Sequence, residues 1–569
     1  MKYRILLRII DELRREATDK YAKKYHVDGG DIDALNAARS RAFVHLYIKV
    51  MFGISDFETR ERQITDGPYD GGIDGYYIDK DRRTIYIIQS KFRSVAKNFE
   101  SKSIQIGEII AIDVDRIARG EEYDEKGNKY NGKIMQLQRD IGEIYDVARY
   151  EYKIIIVANV NGITNEQLKR ITGGYPTEVF DFAKCYDSLV FPIITGTYFK
   201  ASDLVIPIDL SNKNSGSKIS YQVATKISDC EITVLFVPTI EIAKIMNKYK
   251  NSILKYNPRS YLDLDGHSVN SAIERTIRST ETNEFALFNN GITMLSDETY
   301  INERIGQKNK AQLVVKNPQI INGGQTSYTL SRIYESTPID EVEKIFSGKE
   351  VLVKIITLLD DKNHEDKLQL IGEISNATNK QTPVINADRF SNDVFHQRVQ
   401  DKLFKRYGLL YEKKRGEFSE GIFSKYISED LLVERNLFLR VFYSSNGNFL
   451  KGAEKKLFQR NKVDGIDLNN DDSFDRFYIA YNVFKKIVSS RNLNKKVAIS
   501  VYGKIFAYCQ MFSGGDLCVE GDVFSERIGL MEEMWAKFCR EYKEEFPGST
   551  VFGRKFQSQA MLYFHNLRE

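Results

Sequence analysis

The pattern of apolar and polar positions predicts an alternating α/β N-terminal part. Apolar residues recur at helical spacing from about residue 33 to 51, and Gly53 is a plausible stop. Ile73–Ile78 and Thr84–Gln89 are rich in β-branched and aromatic residues, which is typical of strands. The polar run Asp79–Arg83 lies between them, so the two strands are predicted to form a hairpin.

A second helix and a buried strand are predicted next. Ile134–Tyr150 has helical periodicity, and Tyr152–Ala158 reads as a buried strand. The order helix-strand-strand-helix-strand indicates one α/β domain that ends near residue 200. Ile206–Gln222 contains Ser-Asn-Lys-Asn-Ser-Gly-Ser and is the best candidate for a linker.

Beyond this linker, strand-like and helical runs mix until about residue 405, and helical periodicity dominates afterwards. The strand-like runs are Glu231–Val237, Ala311–Ile321 and Val351–Leu358, and the later helical runs are Phe474–Val488, Ala498–Phe512 and Phe524–Tyr542. We therefore expect three parts: residues 1–205, an α+β domain at 220–450, and a mostly helical region at 451–569.

Composition is that of a soluble globular protein. Of the 569 residues, 42% are hydrophobic and 28% are charged. No run approaches ~18 apolar residues, so we expect a cytoplasmic protein without a membrane partner. The five cysteines form no C-x-x-C pair, and the six histidines form no metal-binding pattern. A net charge of +4 permits nucleic-acid binding without requiring it.

The hairpin carries the residues best suited to catalysis. Gln89 and Lys91 are two positions apart and point to the same face of their strand. If the hairpin turns around residues 81–82, Asp74 lies directly across from Gln89. A carboxylate and an amide oxygen suit a hard cation such as Mg²⁺, and the lysine can stabilise a phosphorane-like charge. In the alternative interpretation this is a surface hairpin with solvated side chains.

Gly72-Ile-Asp74 and Gln89-Ser-Lys91 resemble the PD-(D/E)XK nuclease superfamily in its Mrr-like variant. The resemblance covers about residues 30–200 and implies a restriction-endonuclease-like mixed sheet with flanking helices. It also implies that Asp74 binds the metal, that Gln89 replaces the usual second acid, and that Lys91 is the catalytic lysine. The implied cofactor is Mg²⁺ or Mn²⁺.

One departure from that family concerns the preceding helix. Many Mrr-like enzymes place a glutamate there, whereas this helix has Ala-Phe-Val-His at residues 42–45. Glu58, Asp66 or Asp70 are candidates to replace it, or the metal binds with fewer charges.

Four Asn- and Gln-rich motifs further along resemble the AIPR family, named for abortive infection and phage resistance. They are Asn257-Pro-Arg259-Ser-Tyr-Leu262, Phe288-Asn-Asn-Gly-Ile-Thr293, Asn317-Pro-Gln-Ile-Ile-Asn-Gly-Gly-Gln-Thr326 and Ile374-Ser-Asn-Ala-Thr-Asn-Lys-Gln381. The resemblance covers about residues 220–450. It implies a role in bacterial anti-phage defence, often together with a nuclease-like N-terminal domain.

Two groups of residues are candidates for binding nucleic acid or a trigger. Asn290, Asn322 and Gln325 either read base edges and sugar hydroxyls or brace turns beside glycines. Basic residues Lys413, Lys414 and Arg415 have aromatic residues interleaved with them, which is a pattern of single-strand binding. These aromatic residues are Tyr407, Tyr411 and Phe418.

A near-match to a phosphate-binding loop occurs at residues 127–134. Ile134 stands where that motif needs a hydroxyl, and the charged run Arg119–Lys126 stands where it needs a buried strand. We therefore expect no nucleotide hydrolysis at this position.

Together these features predict a Mg²⁺-dependent endonuclease of anti-phage defence that hydrolyses phosphodiester bonds of invading DNA. A homo-oligomer or a partner from a defence system is possible. Two alternatives stay open at this point: a catalytically silent sensor of a phage component, and an RNA nuclease that causes abortive infection.

Overall fold

The computed structural model describes most of the chain. The described residues are 1–27, 29–80, 82–104, 113–160, 162–199, 203–209, 219–226, 229–257, 267–279, 284–303, 309–359, 364–378, 394–414, 416–454, 457, 465–491, 498–512 and 519–567. They form two compact units, of which unit 1 is Met1–Gln381 with Arg415–Glu429, and unit 2 is Thr382–Lys414 with Asp430–Glu569. None of the described helices is both long and apolar enough to cross a membrane.

A four-stranded mixed sheet organises the N-terminal part of unit 1. Its strands lie in the order β1 (Gly75–Asp79), β2 (Thr84–Ser90), β3 (Glu151–Val157) and β4 (Thr177–Phe180). β1 is antiparallel to β2, whereas β2 with β3 and β3 with β4 are parallel. The predicted mixed α/β architecture is confirmed, and the restriction-endonuclease-like assignment of this sheet stays a prediction.

Helices accompany this sheet. In chain order they are α1 (Lys2–Arg15), α2 (Ala22–Tyr25), α3 (Ile32–Phe52), α4 (Phe57–Arg62), α5 (Ala96–Ser101), α6 (Val114–Ala118), α7 (Gly132–Gly142), α8 (Asn165–Ile171), α9 (Phe182–Cys185) and α10 (Phe191–Thr195), with a π-helical stretch at Tyr186–Val190. Side chains of β2 and β3 such as Ile87 and Ile154 share a core with Leu137 of α7. On the other face, Phe52 of α3 contacts Tyr86. Both faces of the central strands are therefore covered, as parallel strands require.

The local predictions for this part are largely confirmed. Helix α3 begins where Asp31 accepts a hydrogen bond from the Ala34 N–H, and it ends at Gly53, whose φ is 69°. The hairpin and strand β3 lie where they are predicted, within two residues. The helix predicted to reach Tyr150 is wrong in its second half, since α7 ends at Gly142, a poor helix former. A 3₁₀ turn at Val147–Arg149 follows instead, and its apolar side chains still pack against the same core.

Two further sheets lie in unit 1. One has the order β5-β10-β9 and the other the order β11-β8-β12-β7-β6. Their strands are β5 (Asp203–Asp209), β6 (Ile219–Val223), β7 (Cys230–Pro238), β8 (Ile292–Ser296), β9 (Glu298–Asn302), β10 (Lys310–Lys316), β11 (Gln319–Asn322) and β12 (Glu350–Leu358). The associated helices are α11 (Thr239–Tyr249), α12 (His267–Arg278), α13 (Phe285–Phe288), α14 (Gly324–Ser336), α15 (Ile339–Phe346) and α16 (His364–Thr378).

The predicted linker is only partly described. Its two ends are strands β5 and β6, and β5 pairs with β10. Asn212–Lys218, the centre of the linker, lies outside the described residues. The three-part division of the chain stays a prediction.

Unit 2 is mostly helical. The remaining helices are α17 (Val394–Tyr407), α18 (Ser419–Phe423), α19 (Arg435–Ser445), α20 (Phe449–Gly452), α21 (Asp471–Arg491), α22 (Ile499–Met511), α23 (Asp522–Glu545) and α24 (Arg554–His565), of which α18 belongs to unit 1. Strands β13 (Leu410–Glu412) and β14 (Leu432–Glu434) form a short parallel pair. The three C-terminal helices that periodicity predicts are confirmed as α21, α22 and α23. Their buried faces share an aromatic core that includes Phe477, Phe506 and Trp535.

A buried polar network connects α2, α3 and α4. The Tyr25 hydroxyl is 2.9 Å from Nε2 of His45 and donates to a Glu61 carboxylate oxygen at 2.5 Å. The other ring nitrogen of His45 accepts from Nε of Arg60 at 3.2 Å, and Arg60 also pairs with Glu16. These polar groups satisfy one another in the interior, where an unpaired polar group is costly.

This network makes the stability of the protein dependent on pH. Burial lowers the pKa of His45 to about 4. Burial alone raises the pKa of Glu61, but hydrogen bonds from His45 and Tyr25 outweigh it and lower that pKa. An unfolded histidine takes up its proton near pH 6.5, so the folded state loses stability as pH falls from about 6.5 towards 4. Protonation of Glu61 at lower pH acts in the same direction.

We expect His45→Gln to flatten this dependence. Thermal melts between pH 7.5 and 5 should show a fall in stability of the parent of ~2 kcal/mol from His45 alone, and a smaller fall in the variant. His26→Gln serves as the control, because His26 is exposed. Equal slopes for the parent and His45→Gln would show that His45 is not the group responsible.

Candidate functional site

Asp74 directly precedes β1, beside the end of β2. The paired residues of the hairpin extend to Gly75 and Ile88, and the pairing of Asp74 with Gln89 stays a prediction. The Asp74 N–H donates to the Ile88 carbonyl at 2.9 Å. Its carboxylate accepts a hydrogen bond from the Ser90 N–H at 2.6 Å. The orientation of Asp74 is therefore determined by the backbone of the neighbouring strand.

Gln89 is the penultimate residue of β2, and Lys91 directly follows this strand. The Gln89 side chain is 3% exposed, and Lys91 is partly exposed. The Lys91 N–H donates to the Val157 carbonyl at 3.1 Å, which continues the ladder between β2 and β3 beyond Ser90. The positive charge of Lys91 acts to lower the pKa values of Asp70 and Asp74. Lys91 is thus an electrostatic neighbour of both carboxylates.

Two further carboxylates complete an acidic cluster, which we define as Asp66, Asp70 and Asp74. One carboxylate oxygen of each lies within 4.8 Å of the others. Of the three acids that the sequence offers in place of the missing helix glutamate, the structure brings Asp66 and Asp70 to Asp74. Glu58 instead accepts a hydrogen bond from the Thr18 hydroxyl at 3.3 Å.

The acidic cluster concentrates negative charge. Burial is the main cause that raises the pKa of Asp74 to about 7, and the charges of Asp66 and Asp70 raise it further. The Ser90 N–H and Lys91 oppose this rise without cancelling it. Burial also raises the pKa of Asp70, against two backbone N–H groups that hydrogen-bond to it. Two unit charges 4 Å apart repel by about 4 kcal/mol at an effective dielectric constant of 20.

The donor set fits a hard divalent cation. Mg²⁺ binds oxygen ligands at about 2.0–2.1 Å, so two ligands on opposite sides of the ion are ~4.2 Å apart. The 4.8 Å limit on the carboxylate oxygens is close to that span. Such an ion would be held by the carboxylates of Asp66, Asp70 and Asp74, together with the amide oxygen of Gln89.

Helix α3 contributes a cation to the acidic cluster. Nε of Arg41 lies 3.0 Å from a carboxylate oxygen of Asp66. His45, which stands in the expected stretch of this helix, belongs to the buried network instead. Arg41 was not among the candidates predicted from the sequence. The only indication of its role was its position, one residue before the stretch at 42–45.

We expect Asp74→Asn to stabilise the metal-free protein. The asparagine oxygen can still accept from the Ser90 N–H, while the repulsion by Asp66 and Asp70 disappears. Melts at pH 8 with a chelator should show a rise of about 2–4 °C, the shift that ~1 kcal/mol produces in a domain of roughly this size. Glu143→Gln, which removes an exposed carboxylate, is the control. A lower melting temperature for Asp74→Asn would contradict the proposed repulsion.

The predicted basic cluster differs from an exposed binding surface. Lys414 is 5% exposed, and Lys413 donates from Nζ to the side-chain oxygen of Gln397. Tyr407 and Tyr411 are buried in the core of unit 2, and Phe418 is also buried. These rings cannot stack on bases in this structure, because their faces are covered. Phosphate contact by the lysines stays a prediction, and Arg415 lies outside the described residues.

The four Asn- and Gln-rich motifs meet in space although they are far apart in sequence. The Asn257 amide donates to the Ile320 carbonyl at 3.5 Å. The Asn289 amide donates to the Thr326 hydroxyl at 3.1 Å. The Asn322 amide donates to the Thr378 carbonyl at 2.7 Å. Each motif thus contacts another, although Arg259, Leu262, Asn379 and Gln381 lie outside the described residues.

The amide side chains at these contacts brace the backbone. The oxygen of Asn289 accepts from the Gly291 N–H at 2.9 Å, and that of Asn322 accepts from the Gly323 N–H at 2.7 Å. Gly291 and Gly323 have φ values of 82° and 86°. A Cβ on Gly291 would lie 2.7 Å from the Leu352 carbonyl oxygen. Glycine is required there both by backbone conformation and by close approach.

Of the three candidate recognition residues, Asn290 differs from the other two. Asn290 is exposed, and within the described part of the chain its side chain has no hydrogen-bond partner. Asn322 uses both ends of its amide in the bracing contacts, and Gln325 is half-buried in the first turn of α14. Asn290 is therefore the residue of this group that is oriented towards solvent.

A family model described as AIPR protein matches residues 254–539. The chain belongs to the AIPR family. This membership suggests a role in anti-phage abortive infection. No curated protein and no solved structure matches the chain. The family match begins beside the first of the four motifs and extends through most of α23.

The AIPR motifs allow a test that separates bracing from recognition. Asn322→Ala should lower the melting temperature, because it leaves the Thr378 carbonyl and the Gly323 N–H unsatisfied, at a cost of about 1–3 kcal/mol each if both stay buried. Asn290→Ala is the matched control and should melt like the parent. Equal melting temperatures for all three proteins would exclude a bracing role for Asn322.

Proposed function

We propose that this AIPR protein is a metal-dependent nuclease that hydrolyses phosphodiester bonds in anti-phage defence. One observation carries the proposal: carboxylate oxygens of Asp66, Asp70 and Asp74 lie within 4.8 Å of one another, and the charge of Lys91 acts on Asp70 and Asp74. In a solvated surface hairpin, Gln89 would be exposed, whereas it is 3% exposed. The raised pKa of Asp74 is also typical of functional carboxylates more often than of surface ones.

Each residue has a separate role in this proposal. Asp74 and Gln89 hold the cation, assisted by Asp66 and Asp70. A bound Mg²⁺ or Mn²⁺ would polarise the phosphate and lower the pKa of water. The Lys91 ammonium stabilises the negative charge that develops on the phosphate oxygens. Burial of Gln89 keeps its amide fixed, so the ligand does not have to be ordered when the cation binds.

The AIPR motifs have a different role from the acidic cluster. Asn289 and Asn322 maintain an irregular backbone, and the exposed Asn290 and the partly exposed Gln325 are the groups that contact nucleic acid or a trigger. An exposed amide reads base edges without a charge penalty. We propose DNA as the substrate. The acidic cluster itself does not discriminate against RNA, since 2′-OH recognition requires contacts beyond it.

A catalytically silent sensor is the second candidate. Arg41 favours it, because a guanidinium paired with Asp66 removes negative charge from the cation site. Lys91 favours the nuclease, since a partly exposed lysine beside two carboxylates of raised pKa contributes little to packing.

Cleavage assays with Lys91→Ala test the proposal. The parent should cut plasmid or linear DNA with Mg²⁺ or Mn²⁺ and not with chelator. The variant should be slower by about 10²–10⁴-fold, the scale for losing one positioned charge or proton-transfer group. Lys97→Ala, which removes an exposed lysine on α5, is the matched control.

The substrate panel distinguishes the candidates. Cleavage of total RNA and not of DNA would favour the nuclease of abortive infection that acts on RNA. A parent that is inactive on every nucleic acid with both metals would favour the silent sensor. A Lys91→Ala variant as active as Lys97→Ala would show that the assigned site is wrong.

A further inference from the structure

The three carboxylates of the acidic cluster lie on one short loop. We define the acidic loop as residues 65–74. Its two ends are joined, because the Thr65 N–H donates to the Asp74 carbonyl at 3.0 Å and the Thr65 hydroxyl donates to the Ile73 carbonyl. The loop also has its own internal contacts: the Asp66 N–H donates to the Asp74 carbonyl at 3.3 Å, and the Ile73 N–H donates to the Asp70 carbonyl at 3.1 Å. Further contacts come from outside the loop.

Asn131 holds the body of this loop from outside. Its side-chain NH₂ donates to the Thr65 carbonyl at 3.1 Å and to the Pro68 carbonyl at 3.3 Å. Its backbone N–H donates to the Tyr69 carbonyl at 3.0 Å. Tyr69 has a φ of 58°, a conformation that a non-glycine residue adopts where its surroundings enforce it. Asn131 therefore binds the three carbonyl groups that surround Asp66 and precede Asp70.

The same residue is anchored at the start of α7. Its side-chain oxygen accepts from the Lys133 and Ile134 N–H groups, both at 3.0 Å. Helix α7 packs through Ile134 and Leu137 in the core beneath the sheet. The acidic loop is thus fixed to a rigid element by one side chain that uses both ends of its amide.

A second contact holds the far side of the loop. The Asp113 N–H donates to the Gly71 carbonyl at 3.1 Å, and the Tyr130 hydroxyl donates to the Asp113 carboxylate at 2.8 Å. Tyr130 directly precedes Asn131, so the chain entering α7 contacts both sides of the loop. These outside contacts act together with the hydrogen bonds inside the loop against the mutual repulsion of the three carboxylates.

We propose that Asn131 is a positioning residue for the acidic cluster. It does not touch the cation ligands. It acts through the Thr65, Pro68 and Tyr69 carbonyls to keep Asp66 and Asp70 beside Asp74 before a cation binds. This inference rests on the proposed metal site and assigns a role to a residue of the stretch that resembles a phosphate-binding loop.

Asn131→Asp is the decisive variant. An aspartate caps a helix as well as an asparagine does, so the start of α7 is preserved. It cannot donate to the Thr65 and Pro68 carbonyls, so the side-chain contacts to the loop are lost while the backbone contact to Tyr69 remains. Asn448→Asp is the matched control, because Asn448 caps α20 by accepting from the Lys451 N–H.

The full-length protein is titrated with Mn²⁺ alone, and hydrogen exchange is followed in peptides from the acidic loop. We expect Asn131→Asp to bind Mn²⁺ about 10–100-fold more weakly than the parent, the usual loss when a partner that orients a metal ligand is removed. Exchange should accelerate in the acidic loop and not in α7. Asn448→Asp should match the parent in both measurements.

The outcomes separate this inference from the proposed function. Parent-like Mn²⁺ affinity and loop exchange in Asn131→Asp would overturn the positioning role and leave the nuclease proposal intact. Faster exchange throughout α7 with a large drop in melting temperature would overturn it in favour of a purely structural cap. A parent that binds no Mn²⁺ would overturn the metal site together with the role of Asn131 towards it.

Discussion

Repulsion among the carboxylates of Asp66, Asp70 and Asp74 is the constraint on which the N-terminal architecture depends. Carboxylate oxygens within 4.8 Å of one another are unfavourable unless donors surround them. The structure supplies backbone N–H groups from Ser90, Gly67 and Gly72, and the guanidinium of Arg41. Their contribution is incomplete, because the pKa of Asp74 still rises to about 7. Such residual cost is typical of sites that are shaped for binding and not for stability.

The buried network behind this site explains why the charge is supplied by a loop. His45 forms hydrogen bonds with Tyr25, Arg60 and Glu61. Residues 42–45 of helix α3 therefore provide no acid for the cluster. The Glu61 carbonyl accepts from Nζ of Lys133 at 2.8 Å, which ties α4 to the start of α7. The acidic loop follows directly after α4. The network therefore sets the position from which the loop starts, and α7 sets the position of its body.

In the AIPR motifs, amide side chains and glycines serve one purpose. An irregular backbone leaves N–H and carbonyl groups without regular partners, and these must be satisfied when they are buried. Asn289 and Asn322 bridge such groups, while Gly291 and Gly323 allow two backbone segments to approach more closely than any Cβ permits. The fixed order of the motifs along the chain reflects a single packed structure. The amide of Asn290, by contrast, is exposed to solvent.

The sequence by itself determined the elements whose signals are local. Such signals depend on neighbours within a few residues. Examples are the caps and periodicity of α3, the β-branched runs of β1–β3 and the apolar faces of α21–α23. The register of the β1–β2 hairpin was also accessible, because a short hairpin turn determines the register of both strands. The end of α7 was not accessible from the sequence, since Val147 packs against the same core from a 3₁₀ turn.

Only the tertiary structure decided which acids, cations and amides meet. The packing of separate elements brings Arg41 to Asp66 and Asn322 to Thr378. The spacing of these residues in the sequence does not indicate either contact. The same packing buried Tyr411 and Lys414, whose pattern alone resembled an exposed binding surface. Local patterns report the preferences of a segment, whereas a site is formed by segments whose relative positions depend on the core between them.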